Sequence, residues 1–533
     1  MKNYSLRSIT ANFILVVAIL TGCTKKLDLT PSNVLTNDQI FTSAANYKQV
    51  LAKVYGAMLT TGNQGPGSGD LPPEIITDAG NSDFFRNFWY LECLSTDEAG
   101  WTYHNNTDPI GIHQMNWSSV NFSVKCSYYR SFYAITLANN FISESSEDKL
   151  SKRGISGTGA DAIRGFKQEA RFLRAYHYWI LMDLFGNPPL VTDSAKIGSK
   201  FFPKQVGRPG LFAFIESELK DLGTKLPAPK TNEYGRVDQA AAWALLSRLY
   251  LNAEVYTGTP RYTDAITICN KITGAGYTLH PKYKELMLGD NDLNTDEFIW
   301  TARYDGLSTQ TYGGTTFLVH GPAGVPGDSS GCSGTWNCIR VTQQFVDLFN
   351  TLDVRGQFYT NGQNKIMTQL LDVSTDGYSS TKFRNKTRNG AVPPNTDNGN
   401  TFSSIDMPIF RLAETYLIYA ESVLKGGTGG SNITALGYLQ QLAVRARPTD
   451  INAANSASLT LPYILAERGR ELMWEGHRRT DLIRYGQFTT AAYLWAWKGG
   501  VQSGTGVDSK YNLYPIPSDD LAANPSLVQN NGY

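Results

Sequence analysis

The feature that most constrains the fold of this 533-residue chain is a long amphipathic helix predicted between residues 161 and 185. Its apolar and aromatic side chains recur every three or four residues, which places them on one helix face. The members of this stripe are Ile163, Phe166, Ala170, Leu173, His177, Ile180 and Leu184. Gly186 and Pro188 then end the pattern. The stripe predicts a helix packed against other helices, with His177 in the core.

Further blocks of helical periodicity lie near residues 36–60, 127–144, 208–223, 237–256, 261–274, 341–350, 410–425, 433–447 and 460–477. The segments "WALLSRLY" at 243–250 and "YTDAITIC" at 262–269 resemble the two helices of a tetratricopeptide repeat. This copy is degenerate, because a Ser replaces the Gly and a Cys replaces the Phe of the pattern. No strict period of about 34 residues runs through the chain. We therefore predict a mainly α fold, with tetratricopeptide-like helix pairs forming a scaffold that carries long insertions.

The insertions are rich in Gly, Asn, Thr, Ser and aromatic residues and show little periodicity. They cover residues 61–82, 92–121, 303–338 and 371–404. Long irregular segments inside a compact protein are usually functional, and loops on a rigid scaffold concentrate binding residues. We expect a large irregular part with few short strands, and binding loops at about 61–121 and 303–404.

The first 22 residues have the three parts of a secretory signal, with a positive start and an apolar run at 9–20. That run is shorter than the roughly 20 residues that span a membrane. Leu-Thr-Gly-Cys at 20–23 resembles the bacterial lipoprotein box, in which the cysteine is acylated. The sequence predicts a signal peptide at 1–22 and lipid attached to Cys23. A soluble secreted protein is the alternative.

The net charge bears on the partners of this chain, and its cysteines bear on disulfide formation. The formal net charge of +1 does not imply nucleic acid as a partner. Thiols that are close in space tend to pair in an oxidising compartment. The segment "CSGTWNC" therefore predicts a disulfide between Cys332 and Cys338, and two free thiols are the alternative.

Motifs for enzyme or cofactor chemistry are weak in this sequence. The Gly-Asp-Ser-Ser-Gly segment at 327–331 matches a nucleophile elbow but lacks the preceding strand that such an elbow needs. The six histidines show no zinc-ligand spacing, and no phosphate-binding or dinucleotide fingerprint occurs. The adjacent carboxylates Asp97 and Glu98 keep a glycoside hydrolase as an alternative. The Asp- and Asn-rich segment 289–297 keeps a structural Ca²⁺ site as an alternative. We expect no enzyme, no cofactor and no catalytic residue.

Several segments together resemble the SusD/RagB family of outer-membrane nutrient-binding lipoproteins. They are "LDLTPSNVLTNDQIFTSAANYKQVLAKVYGAM", "EARFLRAYHYWILMDLFGNPPLV", "GRVDQAAAWALLSRLYL", "FRLAETYLIYAESVL", "LAERGRELMWEGHRRTDLIRYGQF" and "LYPIPSDDLAANPSLVQNNGY". The resemblance spans nearly all of residues 23–533 in order and implies one SusD-like domain. It also implies a lipid-anchored position on the outer membrane that faces the cell exterior. The implied partners are a glycan ligand and a SusC-like TonB-dependent transporter.

Sugars present apolar C–H faces beside hydroxyl groups, so a glycan site needs exposed rings next to polar side chains. Trp101 and Tyr103 lie in one loop, and Trp336 lies between two cysteines in another. The resemblance implies ligand-stacking aromatics at Trp101 and Trp336, with Tyr304 and Tyr312 in a third loop. Around Trp101 the sequence departs from the family pattern, which leaves Trp89, Tyr90 and Trp117 as further candidates. Surface glycan binding is the predicted function. A surface glycoside hydrolase or a binder of peptides or other nutrients are the alternatives.

Overall fold

The computed structural model describes residues 36–194, 201–450 and 454–533, so the predicted signal peptide and Cys23 lie outside the described residues. The fold is mainly helical, as predicted. The helices are α1 Asn37–Ile40, α2 Ala44–Gly56, α3 Phe84–Trp89, α4 Thr107–His113, α5 Phe122–Glu144, α6 Glu147–Lys152, α7 Gly157–Phe185, α8 Arg208–Lys225, α9 Gln239–Leu251, α10 Ala253–Thr257, α11 Tyr262–Thr273, α12 Gly314–His320, α13 Gly327–Ser330, α14 Gln343–Val346, α15 Leu412–Leu424, α16 Asn432–Ala446, α17 Leu461–Leu472, α18 Arg478–Arg484 and α19 Ser518–Ala523. A π-helical turn, Tyr90–Leu94, continues α3.

The strands are short and form antiparallel pairs. They are β1 Gly100–Trp101, β2 Phe298–Ala302, β3 Ile339–Arg340, β4 Phe358–Tyr359, β5 Ser379–Ser380 and β6 Met407–Arg411. β1 pairs with β3, β2 with β6 and β4 with β5. In the described part of the chain these pairs tie loops to the helical scaffold.

The helices pack in a series that follows the chain. α5 packs on α7, α7 on α8, α8 on α9, α9 on α11, and α11 on α15, which also contacts α16 and α17. Helix α7, which carries the predicted stripe, lies within this series, and all of its side chains from Phe172 to Phe185 are buried. Gly186 follows with a φ of 77° and ends the helix where predicted. Among the described helices, none combines the length and the apolar character that crossing a membrane requires.

The helices predicted near 36–60 and 237–256 are each divided in two, and two further predicted helices are shorter than expected. The helix predicted at 460–477 ends at Leu472, because Trp474 adopts a φ of 62°. There its indole packs edge-on against Trp89 and its Nε1 donates to the carbonyl of Glu98 at 3.0 Å. The helix predicted at 341–350 is only the short α14. Conversely, α4 and α12 lie inside segments predicted to be loops.

The charge run of α17 belongs to a buried ion-pair network. Glu471 accepts from Arg411 at 2.6 Å and from Arg355 at 2.9 Å, and it also contacts Arg445. The four side chains are nearly inaccessible to solvent. Desolvating so many charges is costly unless each is paired, so the network depends on its complete set of partners. It joins α17 to β6, to α16 and to the segment before β4.

Candidate functional site

An open cleft of ≈ 950 Å³ lies among the predicted binding loops. Four of the five aromatic residues predicted to bind ligand line it, namely Trp101, Tyr103, Tyr312 and Trp336. They come from three separate stretches of the sequence. The tertiary structure therefore brings together most of the set that the sequence indicated.

The short ladder between β1 and β3 joins the first and third of these stretches. Trp101 is opposite Ile339, and the backbone N–H of Thr102 donates to the carbonyl of Cys338 at 3.0 Å. Tyr103 follows β1 and Trp336 precedes β3 by a few residues. The ladder therefore holds both rings at one side of the cleft.

The second stretch is fixed by Asp83, the N-cap residue of α3. Its carboxylate accepts from the hydroxyl of Thr311 at 2.9 Å and from the N–H of Gly314 at 3.0 Å. A Cβ at Gly313 would lie 2.0 Å from the Asp83 carboxyl carbon, so this close approach requires glycine. These contacts hold Tyr312 beside the start of α12.

The three accessible rings form the apolar part of the cleft. Tyr103 is 45% exposed, Tyr312 is 38% exposed and Trp336 is half-buried. The ring centroids of Tyr312 and Trp336 are 6.4 Å apart, and their planes are inclined at 59°. Inclined aromatic faces of this kind can contact the apolar faces of consecutive sugar rings. A curved ligand would suit them better than a flat one.

Polar side chains lie beside these rings. Asp78 accepts from the Asn81 backbone N–H at 3.0 Å and from its Nδ2 at 2.6 Å, and both residues line the cleft. Among the described residues, no hydrogen bond to the Asn106 amide is present, although this side chain also lines the cleft. These groups can bond sugar hydroxyls. Sequence reasoning missed Asp78 and Asn81, because Asp and Asn are ordinary loop residues, whereas Asn106 lies in the predicted binding loop of Trp101 and Tyr103.

Arg86 is the cationic residue of the cleft. Its Nε donates to the hydroxyl of Tyr90 at 2.8 Å and its Nη1 to the carbonyl of Tyr312 at 3.2 Å. Its guanidinium lies 5.8 Å from the ring centroid of Trp336. Burial opposes the charge of Arg86, but the neighbouring Tyr90 and Asp83 leave its pKa above the usual value. The buried side chain thus joins α3 to the Tyr312 loop and places its positive charge beside the ring of Trp336.

Two predictions about ligand-binding rings are corrected. Trp101 lines the cleft but is only 2% exposed, and its Nε1 donates to the carbonyl of Tyr103 at 2.8 Å. Trp101 therefore lies at the bottom of the cleft, where it fixes the backbone of Tyr103, and it offers no exposed ring face to a ligand. Tyr304 is 3% exposed and lies at a different cavity, beside α2. Its backbone N–H donates to Asp406 at 2.8 Å, which fixes it in the core.

The alternative candidates Trp89, Tyr90 and Trp117 are each buried in the core. Trp89 and Tyr90 both pack edge-on against Phe317 of α12. Trp117 packs against Tyr511 and Tyr514 of the C-terminal segment. None of the three can take the role of a platform.

The predicted disulfide is also wrong, since Cys332 and Cys338 are both free and buried thiols. Each sulfur faces a different carbonyl, that of Gly334 for Cys332 and that of Gly321 for Cys338, both at 3.5 Å. Burial raises the pKa of Cys338 to about 12, so this thiol stays protonated at neutral pH. The loop that carries Trp336 is therefore held by other contacts.

The carboxylate pair considered for hydrolysis lies outside the cleft. Asp97 is buried against Arg478, and Glu98 is buried beneath Trp474. Of the described residues that line the cleft, Asp78 alone is acidic. Most glycosidases act with two carboxylates that flank the scissile bond. The arrangement in this cleft suits binding.

Metal ligands are not assembled within residues 36–194, 201–450 and 454–533, where no three His, Cys, Asp or Glu side chains form a metal-binding group. In the segment considered for Ca²⁺, Asp290 binds Arg388 and Asp296 contacts His280. Glu297 binds Arg411 and Arg445. Asp290, Asp296 and Glu297 thus each contact a basic side chain, and no carboxylate of 289–297 belongs to a metal-binding group among the described residues.

A scaffold of paired helices that presents an open aromatic cleft on its loops defines the structural class. Within it, a family model described as "SusD family" matches residues 353–533, and one described as "Starch-binding associating with outer membrane" matches residues 27–251. The starch-binding protein SusD of Bacteroides thetaiotaomicron is 33% identical, with 96% of each chain covered. The chain therefore belongs to the SusD family.

Solved structures share this fold. A SusD superfamily protein from Bacteroides vulgatus has a TM-score of 0.70 at 20% identity, with 92% of this chain and 99% of that chain covered. Surface glycan-binding protein A from Bacteroides thetaiotaomicron, solved in complex with laminarihexaose, has a TM-score of 0.67 at 18% identity. That comparison covers 91% of this chain and 99% of the other. At these identities the likeness shows the fold alone.

Proposed function

We propose that this protein is a surface glycan-binding protein that takes starch-type glucans in the cleft formed by Tyr103, Tyr312 and Trp336. The observation that carries the proposal is the convergence of these three rings with Asp78, Asn81 and Asn106 on one open surface. The name of the relative at 33% identity supports starch as the ligand class. The inclination between Tyr312 and Trp336 favours a curved glucan chain over a flat β-1,4-linked one.

The binding role is proposed without catalysis. The cleft offers one carboxylate where hydrolysis ordinarily needs two, and Asp97 and Glu98 have structural partners. We further propose acylation at Cys23, an outer-membrane position that faces outward, and delivery of the glycan to a SusC-like TonB-dependent transporter. These proposals rest on the lipoprotein-box sequence and on family membership.

Native affinity electrophoresis tests the ligand. The chain without residues 1–23 is run through gels that contain amylopectin, pullulan, laminarin or xylan. We expect retardation by amylopectin and pullulan and an unchanged reducing-end assay after incubation. Retardation by laminarin alone would exclude the α-glucan assignment, and release of oligosaccharides would exclude the binding-only role.

Membrane fractionation of the full chain and of Cys23→Ser tests the anchor, because only the former should sediment with the outer membrane.

A further inference from the structure

Helix α12 lies between Tyr312, which lines the cleft, and His320, which contacts the cleft residue Trp336. Tyr312 lies two residues before the helix, and His320 is its last residue. The imidazole of His320 stacks on the indole of Trp336, with centroids 4.6 Å apart and planes inclined by 19°. His320 is only 1% exposed, so Trp336 rests on a ring that is itself fixed in the core.

One hydrogen bond from the imidazole and one from the Trp336 backbone hold this arrangement. The Nδ1 of His320 lies 2.5 Å from the carbonyl of Gly334, and its Nε2 lies 2.8 Å from the carbonyl of Thr401. The backbone N–H of Trp336 donates to the carbonyl of His320 at 2.6 Å. A neutral imidazole has one N–H, so in either tautomer one ring nitrogen donates to one of the two loops.

We propose that His320 is the positioning residue of Trp336. In this role it stiffens the 332–338 loop, which the sequence had predicted to be stiffened by a disulfide. The inference rests on glycan binding by the cleft. Its physical basis is that an aromatic side chain already fixed before binding loses less conformational entropy when the ligand arrives. The two free cysteines of this loop supply no covalent constraint.

A double-mutant cycle tests whether His320 acts through Trp336. We expect His320→Ala to weaken maltoheptaose binding by about fivefold, the scale of one side chain left mobile before binding. In a Trp336→Ala background the same change should cause no further loss, whereas in a Tyr312→Ala background the fivefold loss should persist. An equal loss in both backgrounds, or no loss in the native chain, would overturn the proposal.

Hydrogen exchange provides a readout without glycan. The Trp336 N–H is bonded to the backbone carbonyl of residue 320, so its exchange reports opening of the loop. Because His320→Ala removes the stacked ring, the peptide that spans 332–338 should open more often and exchange faster than in the native chain. Tyr312→Ala should leave that rate unchanged. Should His320→Ala not fold, His320→Gln retains a donor but not the stacked ring and should show the same faster exchange. Unchanged exchange in a folded variant would refute the positioning role even if the wild-type protein bound no starch. Absence of starch binding alone would refute only the proposed function.

Discussion

The carboxylate of Asp97 and the guanidinium of Arg478 form a two-point ion pair, although 381 residues separate them in the sequence. The two N–O distances are 2.8 Å and 2.7 Å, and the hydroxyl of Tyr493 donates to the same carboxylate at 2.7 Å. Asp97 lies just before β1, and Arg478 is the first residue of α18. The ion pair therefore joins the strand that carries Trp101 to α18.

Breaking this pair should destabilise the fold. Asp97→Ala leaves the Arg478 guanidinium buried without its partner, and we expect a loss of about 3–5 kcal/mol in the free energy of unfolding. Urea titration followed by circular dichroism measures it. The control is Lys48→Ala, which breaks an exposed pair with Glu233 and should cost less than about 1 kcal/mol. Equal effects of the two variants would contradict the structural role of Asp97.

Removing a platform ring should weaken glycan binding without unfolding the protein. We expect Tyr103→Ala and Trp336→Ala each to raise the dissociation constant for maltoheptaose at least about tenfold, as for residues that dominate a binding surface. Isothermal titration calorimetry checks this. Phe202→Ala is the matched control, because Phe202 is 48% exposed and is not among the residues that line the cleft. A similar loss in Phe202→Ala would place the site elsewhere.

The free amide of Asn106 should contribute to affinity but not to stability. Asn106→Ala removes a group that has no hydrogen-bond partner among the described residues, so the melting temperature should stay unchanged. A lost hydrogen bond to the ligand is worth about 0.5–1.5 kcal/mol, which predicts a roughly twofold to twelvefold rise in the dissociation constant. Calorimetry and thermal unfolding measure the two quantities. A fall in melting temperature with unchanged affinity would show that the amide is structural.

Glu98 should make stability depend on pH. Burial raises the pKa of its carboxyl from an ordinary value of 4.5 to about 8, so the folded chain retains a proton that the unfolded chain releases. The stability from this group is complete below pH 4.5 and is lost as the pH rises toward 8. We expect Glu98→Gln to unfold at a higher urea concentration than the native chain at pH 8.5, with the two converging at pH 5. Glu233→Gln, at an exposed site, should leave the slope unchanged.

Reducing agents should not affect the Trp336 loop. Because Cys332 and Cys338 are free thiols, dithiothreitol should change neither the melting temperature nor starch retention. Alkylation of the denatured, unreduced protein followed by peptide mass spectrometry should label both. If Cys332 and Cys338 were alkylated only after reduction, the result would support the predicted disulfide and contradict the free thiols.

The sequence by itself predicted the helical scaffold. The stripe of α7 and the helix pair at α9 and α11 follow from local periodicity, which a single chain segment displays without its neighbours. It also indicated which loops would carry aromatic rings. The end of α17 was not predictable, because the left-handed turn at Trp474 is stabilised by Trp89 and Glu98 from far along the chain.

The tertiary structure alone decided which rings can meet a ligand. Trp101 and Tyr103 are two residues apart, yet the first is paired with β3 and buried, whereas the second is exposed. The same packing turned the adjacent Asp97 and Glu98 into structural groups and placed His320, in place of a disulfide, behind Trp336. Residue type sets what a side chain can bind. Its accessibility depends on contacts between segments hundreds of residues apart, and those contacts exist only in the folded chain.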